Sequence, residues 1–217
     1  MRIATSPLRA LLLAGCAISL AGCSEVSQLA RDTISDVSGR PLPATDDTPR
    51  AYETSQGESI QFALGAVAFA DRADRFAPTQ DLNDAYLDPW QAVGPPDYET
   101  GCRDGDECYV SLTPGGVAVF EFTNNTLFDG PGNDIVVFEI GPDVEATTVE
   151  ISVDGRDYVS LGRVEGSSAA LDIGGRGRSG AQYRFVRLTD VADQGGTSGS
   201  TPGADIDAVG AIHAERR

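Results

Sequence analysis

Two groups of acidic residues carry the chemistry most open to test in this sequence. Asp129, Asn133 and Asp134 crowd a Gly/Pro turn that would expose backbone carbonyls, and Asp205 and Asp207, two apart, would share one strand face. Calcium takes roughly six to eight oxygens, typically carboxylates mixed with loop carbonyls. The two groups could converge on one structural calcium ion, with Asp190 or Glu139 nearby. No D-x-D-x-D-G loop is present, and Asp and Asn also build turns by bonding their own backbone, so a plain turn reading stands beside the metal reading. Catalysis finds less support. There is no G-x-S-x-G elbow or phosphate loop, and the single histidine, His213, lies almost at the C-terminus. Acid pairs such as Asp104/Asp106 or Asp205/Asp207 sit on one short segment, which does not give the cleft separation of a glycosidase. The chain is expected not to be an enzyme.

Other residues invite binding chemistry. Arg176 and Arg178 lie in the glycine-rich loop 174–180 and could meet a glycan carboxylate or phosphate, although a solvated loop has the same composition. Trp90, with Tyr86 and Tyr98, could stack on a sugar or simply anchor a loop. Glu139 and Arg187 each interrupt an apolar run and read first as a structural ion pair, because buried charges need partners. Cys102 and Cys108 enclose a short acidic segment without the C-x-x-C redox spacing. In an exported protein such a pair forms a disulfide, contributing about 2 kcal/mol from so small a ring.

Export is itself readable. Arg2 and Arg9 precede an apolar stretch at 10–20 that is too short to span a bilayer. The stretch ends in Leu20-Ala21-Gly22-Cys23, which resembles the lipobox of bacterial lipoproteins. That resemblance implies a signal peptide over residues 1–22, acylation of Cys23 and a membrane anchor; Ser24 after it implies the outer membrane. The earlier match Leu13-Ala14-Gly15-Cys16 leaves too few apolar residues before the cut. Residues 23–58 are rich in Ser, Asp, Thr and Pro and read as a flexible tether with a span of roughly 30 to 35 Å. The formal net charge is -17, with 16 arginines and no lysine. A phosphate-tracking nucleic-acid surface is therefore excluded.

Residues 59–217 must hold the candidate groups in place. With 25 glycines and 12 prolines in the chain and few helical periodicities, many short strands are expected. The strand candidates are 60–69, 117–122, 135–140, 148–153, 158–164, 169–173, 183–189 and 208–214, with 71–98 irregular. Alternation over 148–153 and Asp154-Gly155 predict a hairpin with a two-residue turn leading to Tyr158.

The block Val149-Glu150-Ile151-Ser152-Val153-Asp154-Gly155-Arg156-Asp157-Tyr158, followed by Tyr183-Arg184-Phe185-Val186-Arg187-Leu188, resembles galactose-binding-like jelly rolls such as discoidin domains. Asp88-Pro89-Trp90, Gly132-Asn133-Asp134-Ile135-Val136-Val137-Phe138-Glu139 and Gly203-Ala204-Asp205-Ile206-Asp207 are similar to segments of a bacterial surface-domain family sometimes joined to OmpA-like domains. The resemblance implies an all-β, galactose-binding-like jelly-roll β-sandwich of about eight strands. It also implies a non-catalytic module that recognises a glycan or another envelope component. An alternative is a structural envelope protein that acts through a protein partner without a small ligand.

Overall fold

The computed structural model describes residues 40, 42–98, 108–141, 144–166, 169–194 and 200–217. Cys23, the rest of the proposed signal and Cys102 lie outside them. Strands β1 (Arg50–Glu53), β2 (Ser59–Phe62) and β3 (Arg72–Ala77) come first, then β4 (Val110–Ser111), β5 (Val117–Glu121), β6 (Asn125–Leu127) and β7 (Ile135–Glu139). The remainder are β8 (Val144–Ser152), β9 (Val159–Gly166), β10 (Ala170–Leu171), β11 (Phe185–Asp190), β12 (Asp205–Ala211) and β13 (Ala214–Arg216).

Two antiparallel sheets form the expected all-β sandwich, a five-stranded one in the order β3-β5-β11-β8-β9 and a four-stranded one in the order β10-β7-β12-β4. From β4 onward the chain repeatedly hops between the sheets. Each inward face therefore draws on strands distant in sequence, as in β-sandwiches generally. Ala118, Phe120, Val186, Leu188, Val149 and Ile151 point inward from one sheet, and Val137, Ile206 and Val209 are buried in the other. Phe62, Phe69 and Phe138 form an aromatic cluster, with ring centroids 4.8 and 5.7 Å apart around Phe69. Gly210 makes this possible, because a Cβ there would sit 2.8 Å from the Phe62 ring and 3.0 Å from that of Phe69.

Local departures from the sequence expectations have identifiable causes. The strand expected over 60–69 stops at Phe62 and becomes a 3-10 turn, Gly65–Ala68, because Gly65 takes φ +50°. β3 falls in the stretch read as irregular; its exposed side is arginine-rich, and Arg72 is neutralised by Glu121 of β5. The hairpin is present, but Ile151 faces Val159 and the connection spans 153–158 rather than two residues. Asp154 organises it, its Oδ1 accepting from the backbone of Arg156 at 2.9 Å and of Asp157 at 3.1 Å.

Ordered structure also reaches back into the segment read as tether. β1 pairs with β2, the Ala44 carbonyl accepts from Asn124 Nδ2 at 2.8 Å, and Asp47 pairs with Arg216 at 2.9 Å. At Gly65 a Cβ would overlap the Thr48 carbonyl. Gly65→Ala is expected to cost about 2 kcal/mol, from strained backbone and displacement of residues 46–48. Thermal unfolding checks this beside Gly57→Ala. Gly57 has φ +79° but nothing within 4 Å of a Cβ, and its substitution should lower the midpoint by less.

Candidate functional site

The single-ion convergence of the two acidic groups does not occur, and strand direction is the reason. Asp134 immediately precedes β7 and Asp205 begins β12, and these strands are antiparallel neighbours with Ile135 facing Ala211 and Glu139 facing Ile206. The starts of antiparallel neighbours lie at opposite ends of the sheet. Five residues of extended chain, roughly 17 Å, separate Asp134 from Glu139, beside which Asp205 actually sits.

At the first end Asp134 is fully buried and saturated. It accepts from Gly130 N and Ile173 N, each at 2.7 Å, and pairs with His213 Nδ1 at 2.8 Å. Asp129 and Asp172 bring carboxylate oxygens within 4.8 Å of it and of one another, while Asn133 is exposed. Asp134 thereby joins the 129–130 turn, the 173 backbone and the C-terminal segment. This is the structural role that buried, fully bonded carboxylates commonly take.

The other end is different. Glu139 is 5% exposed and its Oε2 accepts from Glu145 N at 2.8 Å. Burial, reinforced by the acids Glu145 and Asp205, pushes its carboxyl up to about 9. Asp205 is pushed up to about 7, again mainly by burial and also by Glu145, with the Thr201 and Ser111 hydroxyls acting the other way. Its Oδ1 is buried without a hydrogen bond, and Glu145 is itself shifted upward by burial and by Asp190. Among the described residues no ion pair reaches Glu139, Glu145 or Asp205. The expected Glu139–Arg187 pair is absent: they lie in different sheets, and Arg187 Nε donates to Glu150 at 2.5 Å while its guanidinium covers Tyr158 at 4.1 Å.

Asp190, by contrast, is committed to structure, accepting from Gly115 N and Ala204 N at 2.9 Å each and from Gln194 Nε2 at 2.7 Å. Asp207 does not simply stand beside Asp205. The β7–β12 pairing slips between Ile206 and Ala208, and Asp207 instead accepts from the backbone N–H groups of Asp97 at 3.1 Å and Tyr98 at 3.4 Å.

That contact seats an aromatic group beside Asp207. Tyr109 stacks on Tyr86 at 5.6 Å and meets Tyr98 edge-on at 6.0 Å, and Tyr98 is one of the exposed large apolar side chains, at 41%. Trp90 belongs elsewhere. It sits in the 3-10 turn Pro89–Ala92, capped by Asp88, packs partly against the core, and has the Arg40 guanidinium over its ring at 4.6 Å. The aromatic set is thus Tyr86, Tyr98 and Tyr109, without Trp90. Arg176 and Arg178 are both exposed; Arg176 donates to the Asp172 carbonyl at 3.1 Å, and the Arg178 backbone N–H donates to Tyr183 Oη at 2.7 Å. Glu145 and Tyr109 carry no local motif, and their roles follow from strand pairing alone.

No protein-family profile and no curated protein matches the chain. Among solved structures, it is similar to a fucose binding module of Streptococcus pneumoniae, with a TM-score of 0.37 and 13% identity over 68% of this chain and 94% of that one. The sandwich architecture therefore rests on this chain's own strand pairing.

Proposed function

We propose that this chain is a membrane-anchored, non-catalytic binding module. Calcium at Glu139, Glu145 and Asp205 organises a tyrosine-lined surface that recognises a glycan or another envelope component. The observation that supports this reading most is that the carboxyls of Glu139, Glu145 and Asp205 are all raised by burial and by neighbouring acids, with an unbonded buried oxygen on Asp205 and no ion pair to any of the three among the described residues. Buried carboxylates are retained where they pair, bind metal or stay protonated. Calcium offers the hard, oxygen-seeking charge this donor set fits. The adjacent tyrosines supply flat apolar faces ending in hydroxyls, a combination suited to sugar rings.

Calorimetric titration with calcium, followed by glycan arrays with and without it, tests the proposal. Heat of binding and calcium-dependent array signals are expected. Tyr98→Ala should weaken glycan binding about tenfold, equivalent to about 1.4 kcal/mol, with little change in melting temperature. No calcium heat, a flat array and one dominant protein crosslink would favour the partner-protein alternative. The anchor at Cys23 predicts that Cys23→Ser releases the protein from membranes, and mass analysis under non-reducing conditions tests the proposed Cys102–Cys108 pairing.

A further inference from the structure

The stretch Gly94-Pro95-Pro96-Asp97-Tyr98 ends on an exposed tyrosine and is tied down at both ends. Gly94, at φ +98°, donates its N–H to the Ala70 carbonyl at 2.9 Å, and the two prolines that follow have no N–H to give. The next two donors along the backbone, Asp97 N and Tyr98 N, both turn to one side chain. Asp207 Oδ1 accepts the first at 3.1 Å and Oδ2 accepts the second at 3.4 Å.

Asp207 stands where an apolar residue would pack at less cost. It is 7% exposed, between the fully buried Ile206 and Ala208, and burying a carboxylate is unfavourable without bonds in return. It is also the extra residue where the β7–β12 pairing slips, and such a bulge re-aims a side chain. On its other edge β12 pairs with β4, Ile206 facing Val110. Tyr109, the residue before Val110, is the ring that Tyr98 meets edge-on at 6.0 Å. One strand therefore fixes both the backbone of Tyr98 and, through β4, the ring against which Tyr98 leans.

We propose that Asp207 is a positioning residue for sugar recognition, holding Tyr98 against Tyr109 without touching the sugar itself. The role rests on the tyrosine-lined surface proposed above. A side chain that must be ordered on binding lowers affinity, and one held in place beforehand does not. Without Asp207, the Asp97 and Tyr98 N–H groups turn to water and Tyr98 keeps its position for only part of the time. Apparent affinity falls by that fraction.

Calorimetric titration of the full chain in calcium, with free hexoses, 6-deoxyhexoses and N-acetylhexosamines as probes, tests this as a double-mutant cycle with Tyr98→Ala. Asp207→Ala is expected to weaken the best-bound sugar about fivefold, and to add nothing in the Tyr98→Ala background, because it acts only through that ring. Asp207→Asn, which keeps one acceptor oxygen, should lose only about twofold. Amide exchange followed by NMR should quicken at Asp97 and Tyr98 in Asp207→Ala. Asp207→Leu fills the buried position without an acceptor and carries the cycle if Asp207→Ala fails to fold. Full sugar affinity in the Ala and Leu variants, with affinity lost in Tyr98→Ala, would overturn the role and leave the sugar-binding reading standing. An equal further loss in the Tyr98→Ala background would also overturn it, since Asp207 would then act elsewhere in the fold. No heat from any of these sugars with the natural chain would remove the reading and the role together.

Discussion

Asp134→Ala is expected to remove about 4 kcal/mol of folding stability and to lower the thermal midpoint by roughly 10 °C. The carboxylate is wholly buried and serves Gly130 N, Ile173 N and His213 Nδ1 together. Its removal strands buried donors at the same moment as it opens a cavity, and stranding buried groups is more damaging than losing a bond in water. Asp134→Asn should be nearly as harmful, because its amide nitrogen turns a donor toward donors. His213→Ala should cost less, since that ring is 27% exposed and leaves the two backbone bonds in place. Denaturant midpoints with and without chelator separate this structural role from a metal role. A loss that disappears in chelator would reassign Asp134 as a calcium ligand, and a loss below about 1 kcal/mol would sink the structural account.

The sandwich was legible because its strongest signals are local. The alternation of Val149 and Ile151 with Thr148 and Glu150, and the unbroken Ile135-Val136-Val137-Phe138 run, report burial on one face and on both faces respectively, and both became strands. β3 was hidden because arginine on its exposed side is stabilised by Glu121, a partner far along the chain. The candidate sites were legible as residue types and not as arrangements. Asp134 and Asp205 each occupy the start of a strand, and local reasoning has no means of knowing that these strands run in opposite directions side by side. That one topological fact separates them and puts Glu139 next to Asp205. Arg187, the partner expected for Glu139, lies on β11 of the other sheet and is bonded to Glu150 there. Tyr109 had no signature at all, since what sets it apart is whom it faces.

Glu139→Gln is expected to make the metal-free protein more stable at neutral and alkaline pH and to abolish stabilisation by calcium. Glu139 has its carboxyl raised from 4.5 to about 9 by burial first and by Glu145 and Asp205 next. In the unfolded chain the same group ionises near its ordinary value, so above that pH the native state holds a proton that the unfolded state has released. The native advantage is therefore full in acid below about pH 4 and drains away as pH climbs toward 9. By pH 7 this amounts to about 3 kcal/mol at roughly 1.4 kcal/mol per pH unit. Asp205, raised from 3.8 to about 7, steepens the fall over the lower part of the same window. Glutamine keeps an oxygen for the Glu145 N–H bond but never ionises, so the variant's midpoint in chelator should be nearly level above pH 7, where the natural protein's continues to drop. Calcium should reverse the order. Binding displaces the site's protons, so affinity rises with pH, and the ion converts mutual repulsion into attraction for Glu139, Glu145 and Asp205. Melting curves from pH 4 to 9, in chelator and in calcium, contain both halves of the expectation as one crossing pair of profiles. Parallel profiles for the two proteins would mean that Glu139 ionises in the fold without cost, and the acidic end would lose its claim to a cation.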